Sequence, residues 1–128
     1  TAACEGPCGL DRIAALPAAE MLVPMDAGPA LLAHSHHSIL AAGFHRNDRP
    51  MADLIRAFTG SPEAAHAIVL RHRIAYVLLP PSSSEADLYA QVAPDGLTAK
   101  LRRGQAPAWL RAVPLGSGVG YRLWRVVS

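Results

Sequence analysis

Long apolar runs, lysine, aromatic residues and cysteine are all scarce in this chain, and each scarcity removes a class of protein. No run of about 18 apolar residues occurs, so no segment reads as a transmembrane helix, and no signal peptide is visible. Lys100 is the single lysine among 12 cationic side chains, so the net charge of +2 rests almost wholly on arginine. Aromatic residues make up only 5% of the chain. Scattered guanidinium groups without interleaved rings do not make a base-stacking platform, so no nucleic-acid partner is expected. The bias toward Arg and Ala fits a GC-rich bacterial genome.

The two cysteines, Cys4 and Cys8 in CEGPC, have no second Cys pair with which to complete a zinc site. Gly-Pro between them permits a tight loop, and a local disulfide would fit an oxidising compartment. Two reduced thiols near a chain end fit the sequence equally well. The chain opens at Thr1 instead of methionine, which reads as a processed protein or a piece of a longer one.

What is present points to a single domain over residues 1–128, with 51% apolar residues dominated by Ala, Leu and Val. Asp11 to Leu16 reads as a short helix ended before Pro17. Met21 to Pro24 reads as a buried strand, Pro29 to Ser35 as a helix opened by Pro, and Ser38 to Gly43 as a second strand. Met51, Leu54, Ile55 and Phe58 then fall at i, i+3, i+4, i+7, one stripe of an amphipathic helix stopped by Gly60. Ser61-Pro62 starts another helix, with Ala65, Ile68, Val69 and His72 as its inner stripe. Ile74 to Pro80 is the strongest strand signal, apolar on both faces as a covered central strand should be. Ser82 and Glu85 are spaced as a capping box for a helix reaching about Val92. Leu97 to Arg103 reads as a short helix or turn. The strands Leu110 to Leu115 and Tyr121 to Val127 close the chain, joined by GSGVG. The expected fold class is α/β: three layers, a largely parallel sheet of about five strands, and an antiparallel C-terminal hairpin.

Ligands of open parallel sheets bind beyond the carboxyl ends of the strands. Three polar loops are expected there. They carry Asp26, then His45, Arg46 and Asn47 beside Asp48, then Ser82 and its neighbouring serines with Glu85. Asp26, His45, Arg46, Asn47 and Ser82 are therefore the candidate ligand-binding residues. Four of the six histidines lie in HSHHSILAAGFHRN. A strand over Ser38 to Gly43 would hold His34, His36 and His37 roughly 20 Å from His45, at about 3.3 Å per residue, so no common metal site is expected. GSGVG precedes a strand and lacks the G-x-G-x-x-G spacing, so it reads as a hairpin turn. No G-x-S-x-G elbow is present, and the carboxylates are too dispersed to pair. No catalytic residue, metal or cofactor is predicted. Trp109 and Trp124 read as core or interface filler.

Several phrases together resemble one known group: D-x-G-P at Asp26, Gly28 and Pro29; H-S at His37 and Ser38; F-H-R-N at Phe44 to Asn47; Tyr76 in its strand; and the terminal PAWL and YRLWRVV. From Cys8 to Val127 the chain resembles the soluble C-terminal domain of bacterial polytopic membrane proteins similar to GT-C type glycosyltransferases. These move sugars from polyprenyl-phosphate carriers at the outer face of the membrane. The resemblance implies a fragment that follows a transmembrane region, on the periplasmic side of the inner membrane, with Cys4 and Cys8 in an oxidising space. It implies that the catalytic carboxylates sit in loops of the membrane part. This domain would then be a non-catalytic auxiliary of a polyprenyl-phosphate-sugar-dependent enzyme. Its partners would be the membrane part of the same protein and a glycan or lipid-linked sugar. The alternative is a free-standing α/β module binding a small polar ligand or metal through the strand-end loops.

Overall fold

The computed structural model describes residues 13, 16–17, 19–24, 38–39, 48–80, 83–115 and 120–127. The elements are β1 (Glu20–Leu22), β2 (Ser38–Ile39), α1 (Asp48–Thr59), α2 (Pro62–Arg71), β3 (Tyr76–Leu79), α3 (Ser84–Val92), α4 (Leu97–Arg102), β4 (Leu110–Val113) and β5 (Arg122–Val126). The strands form one sheet in the order β2-β1-β3-β5-β4. Four of them carry it, with β2 adding two residues at one edge.

The α/β class holds, but the sheet is mixed, not largely parallel. β1 pairs in parallel with β2 and β3, whereas β5 is antiparallel to both β3 and β4. The reason is the closing hairpin. It docks its last strand against β3, so half of the strand pairings become antiparallel.

Alternation along the strands separates two cores. Leu22, Val77, Leu79 and Trp124 point to one face, where they meet Leu54, Ala57 and Phe58 of α1, Ile68 and Val69 of α2, Tyr89 of α3 and Leu101 of α4. Met21, Val23, Leu78 and Leu123 point to the other, where the described cover comes from Ile13, Leu16 and Leu115. All four described helices thus lie on one side of the sheet. Leu123 and Trp124 are both buried, so β5 is covered on both faces as an inner strand must be. Trp109 and Trp124 are core residues, as their surroundings in the sequence suggest.

The α1 stripe is rotated from its expected position. Leu54, Ala57 and Phe58 are fully buried while Ile55 is exposed, and the place beside Leu54 on the inner face goes to Asp53. Gly60 ends the helix, and α4 then caps it. Thr98 Oγ1 donates to Phe58 O at 2.8 Å, and Leu97 N donates to Gly60 O at 3.1 Å. These bonds satisfy carbonyls that a helix end leaves without intrahelical partners. The approach is close enough to require glycine: a Cβ on Gly96 would lie 2.7 Å from Thr59 O. The ring of Phe58 stacks on Tyr89 at 5.5 Å, linking α1 to α3.

α2 begins as its sequence indicates, with Ser61 Oγ accepting from Ala64 N at 3.2 Å and Pro62 in the first turn. Its end is less ordinary. Ile74 N donates to Val69 O at 2.9 Å and Arg73 N to Leu70 O at 3.2 Å, the two bonds of a Schellman motif. Arg73 occupies the left-handed position at φ 54°, where glycine carries no Cβ penalty. The expected capping box is displaced by one residue. Ser83 caps α3, its Oγ accepting from Ala86 N at 3.0 Å, and the Glu85 carboxylate accepts instead from Tyr89 Oη at 2.5 Å.

Candidate functional site

Charged side chains gather at both ends of β3. At the amino end, Asp53 is 1% exposed and gathers two guanidiniums and an imidazole. His72 Nε2 lies 2.8 Å and an Arg71 guanidinium nitrogen 3.3 Å from Oδ2, while an Arg56 nitrogen stands 3.6 Å from Oδ1. The Schellman turn ends α2 just where Arg71 and His72 reach α1, so this cluster fastens the two helices. Burial pushes the Glu20 carboxyl up from its usual range, and His72 nearby partly opposes that.

An imidazole with one nitrogen fixed by a buried carboxylate is the arrangement that orients a general base. Here no nucleophile among the described residues contacts His72, and its partner carboxylate is already shared by two arginines. The described residues contain no group of three or more His, Cys, Asp or Glu side chains placed to hold a metal. The contacts of this cluster tie α1 to α2. His66, half-buried on α2, stacks its ring on Trp109 at 4.6 Å.

At the carboxyl end of β3 lies a cleft of about 380 Å³ lined by Leu79, Pro80, Asp87, Arg102, Gly120 and Arg122. Register builds it: Leu79 pairs with Arg122 across β3 and β5. α3 contributes Asp87 and the end of α4 contributes Arg102, which donates to Asp87 Oδ1 at 2.5 Å. The Arg122 guanidinium carbon sits 5.1 Å from the Trp124 ring centroid, a cation–π contact that holds the fork over a buried platform. Among the described residues no carboxylate pairs with Arg122. Two guanidiniums against one carboxylate leave the lining one positive charge in excess. A planar fork with free donors recognises carboxylate or phosphate oxygens, and among the described lining residues Arg122 is such a fork.

Of the sequence-derived candidates, Asp26, His45, Arg46, Asn47 and Ser82 lie outside the described residues, as do Cys4, Cys8, His34, His36 and His37. The strand expected over Ser38 to Gly43 is described only at Ser38–Ile39. Ser82 lies in sequence between Pro80, which lines the cleft, and Ser83. The sequence reading missed Asp87, Arg102, Arg122 and Asp53. Asp53 left one signal: an acid beside Leu54 inside an apolar stripe demands a cationic partner, and Arg71-His72 ends the next helix.

The described residues thus form an α/β domain with a mixed sheet, four helices packed on one face and a guanidinium-lined cleft at one strand end. No family model and no curated protein matches its sequence. Seven chains of solved structure match its fold. One is the C-terminal globular domain of an oligosaccharyltransferase from Archaeoglobus fulgidus, with a TM-score of 0.63 at 15% identity over 93% of this chain and 92% of that one. At that identity the likeness is one of fold. Among the described residues, no helix is long and apolar enough to cross a membrane.

Proposed function

We propose that this chain is a non-catalytic auxiliary domain of a membrane-embedded glycosyltransferase of the GT-C type, facing the periplasm beside its own membrane part. The observation that carries this reading is the end-to-end likeness to the oligosaccharyltransferase C-terminal domain, which covers nearly the whole of both chains. It agrees with the phrases at Asp26 to Pro29 and Phe44 to Asn47 that resemble the same class of enzyme. On this reading the cleft at Arg102 and Arg122 receives an anionic group of the donor or acceptor, and the reaction itself is carried out by carboxylates of the membrane part.

The test is sugar transfer from a polyprenyl-phosphate donor by membranes containing the full gene product. Deleting this domain abolishes or greatly slows transfer, while the isolated chain transfers nothing. A gene product with no apolar segments upstream of Thr1 removes the proposal.

A further inference from the structure

Arg111 and Arg125 are direct partners across β4 and β5, and Arg125 is in turn the partner of Tyr76 on β3. Alternation places all three on the face turned away from the helices, in line with Leu123 and Val113. Directly opposed residues in an antiparallel pair hold their Cβ atoms about 5 Å apart, and like charges there repel. Both arginines are exposed, and among the described residues neither has an ion pair or hydrogen bond.

The row runs from buried Met21 through half-buried Tyr76 to the two exposed guanidiniums. The row beside it, Leu78, Leu123 and Val113, is apolar and packed. The arginines therefore stand where the cover of this face ends, against an apolar border. A charge on an edge strand such as β4 discourages edge-to-edge pairing. That role does not extend to Arg125, which lies on an inner strand and faces along the sheet normal.

We propose that Arg111 and Arg125 form a phosphate-binding site on this face, separate from the cleft. A phosphate group has enough acceptor oxygens to engage both forks at once, and its charge turns the cross-strand repulsion into a bridge. A carboxylate carries less charge and fewer acceptor oxygens to share between two forks. The inference does not depend on the membrane-parent reading, because it rests on register and charge alone.

Thermal unfolding of the 128-residue chain in chloride and in inorganic phosphate, at equal ionic strength, tests it. Phosphate at about ten times its dissociation constant raises the Tm of the wild type by roughly 4 °C. R111Q/R125Q melts above the wild type in chloride, because the repulsion is gone. The increment is read in the R102Q/R122Q background, where the cleft contributes nothing, and there the further change R111Q/R125Q removes it. An increment absent from R102Q/R122Q, or unchanged when R111Q/R125Q is added to it, overturns the proposal. Vesicles separate the sources of the group. Arginine-dependent binding to phosphatidylglycerol and not to phosphatidylcholine assigns a lipid headgroup, and no vesicle binding with the increment intact assigns a soluble phosphate ester.

Discussion

The two ends of β3 use the same chemistry to opposite effect. At the amino end one carboxylate, 2% exposed in its side chain, collects Arg56, Arg71 and His72. At the carboxyl end Asp87, 68% exposed, holds Arg102, and among the described residues Arg122 lies over Trp124 without a carboxylate. Burial decides the difference. A desolvated carboxylate must be satisfied by every donor within reach, so its partners are committed to the fold. A solvated one gains little from its arginine, which keeps that arginine available.

Exchanging one oxygen for an amide at each end measures this contrast directly. Asp53→Asn removes charge-assisted bonds from a buried group and lowers stability by about 2–3 kcal/mol, read from urea unfolding midpoints. Asp95 and other surface acids give no such loss. At the α1–α4 junction, Gly96→Ala drives a methyl against Thr59 O, with a cost of about 1–3 kcal/mol, because the carbonyl belongs to backbone that α4 has already fixed. Arg73→Gly works in the other direction. It relieves the left-handed backbone after α2 and raises stability by about 0.5–1 kcal/mol without loosening the Asp53 cluster, since Arg71 and His72 stay in place. Asp87→Asn changes stability by less than about 0.5 kcal/mol. A loss as large as that of Asp53→Asn would erase the distinction between the two ends.

Glu20 adds a pH dependence at the amino end. Its folded pKa is raised above the ordinary value of 4.5, chiefly by burial, so the folded state favours its protonated form. That contribution is complete below the unfolded pKa and is lost as pH rises through the folded one. Glu20→Gln is therefore more stable than the wild type above the folded pKa, and the gap closes as the pH falls through that pKa to 4.5. A gap of constant size across that window contradicts the assignment.

Much of the scaffold was legible because local rules and tertiary packing agreed. Ser61-Pro62, Gly60 and the apolar run Ile74 to Pro80 each had a single physical reading, and the structure follows it, with the strand itself spanning Tyr76–Leu79. Sheet orientation was less legible, because the partner of β5 is chosen by long-range packing of Leu123 and Trp124 and not by any local signal. The Ser82 cap shifted to Ser83 because three consecutive serines offer nearly equivalent oxygens, and helix register selects among them. The cleft was legible only as a location, the carboxyl end of the sheet. Asp87, Arg102 and Arg122 stand far apart in sequence and are brought together by the α3–α4 packing and the β3–β5 register. Arg111 and Arg125 escaped notice for the same reason: nothing in the sequence says that they face each other.

The central claim is that the cleft binds a substrate group while chemistry occurs elsewhere. Steady-state sugar transfer by the full gene product carrying R102Q/R122Q tests it most directly. The account predicts KM for donor or acceptor raised about tenfold or more with kcat nearly unchanged, the signature of lost uniform binding. A kcat reduced by several orders of magnitude at unchanged KM, in a variant that still folds, would place the cleft at the reacting atoms and contradict the account.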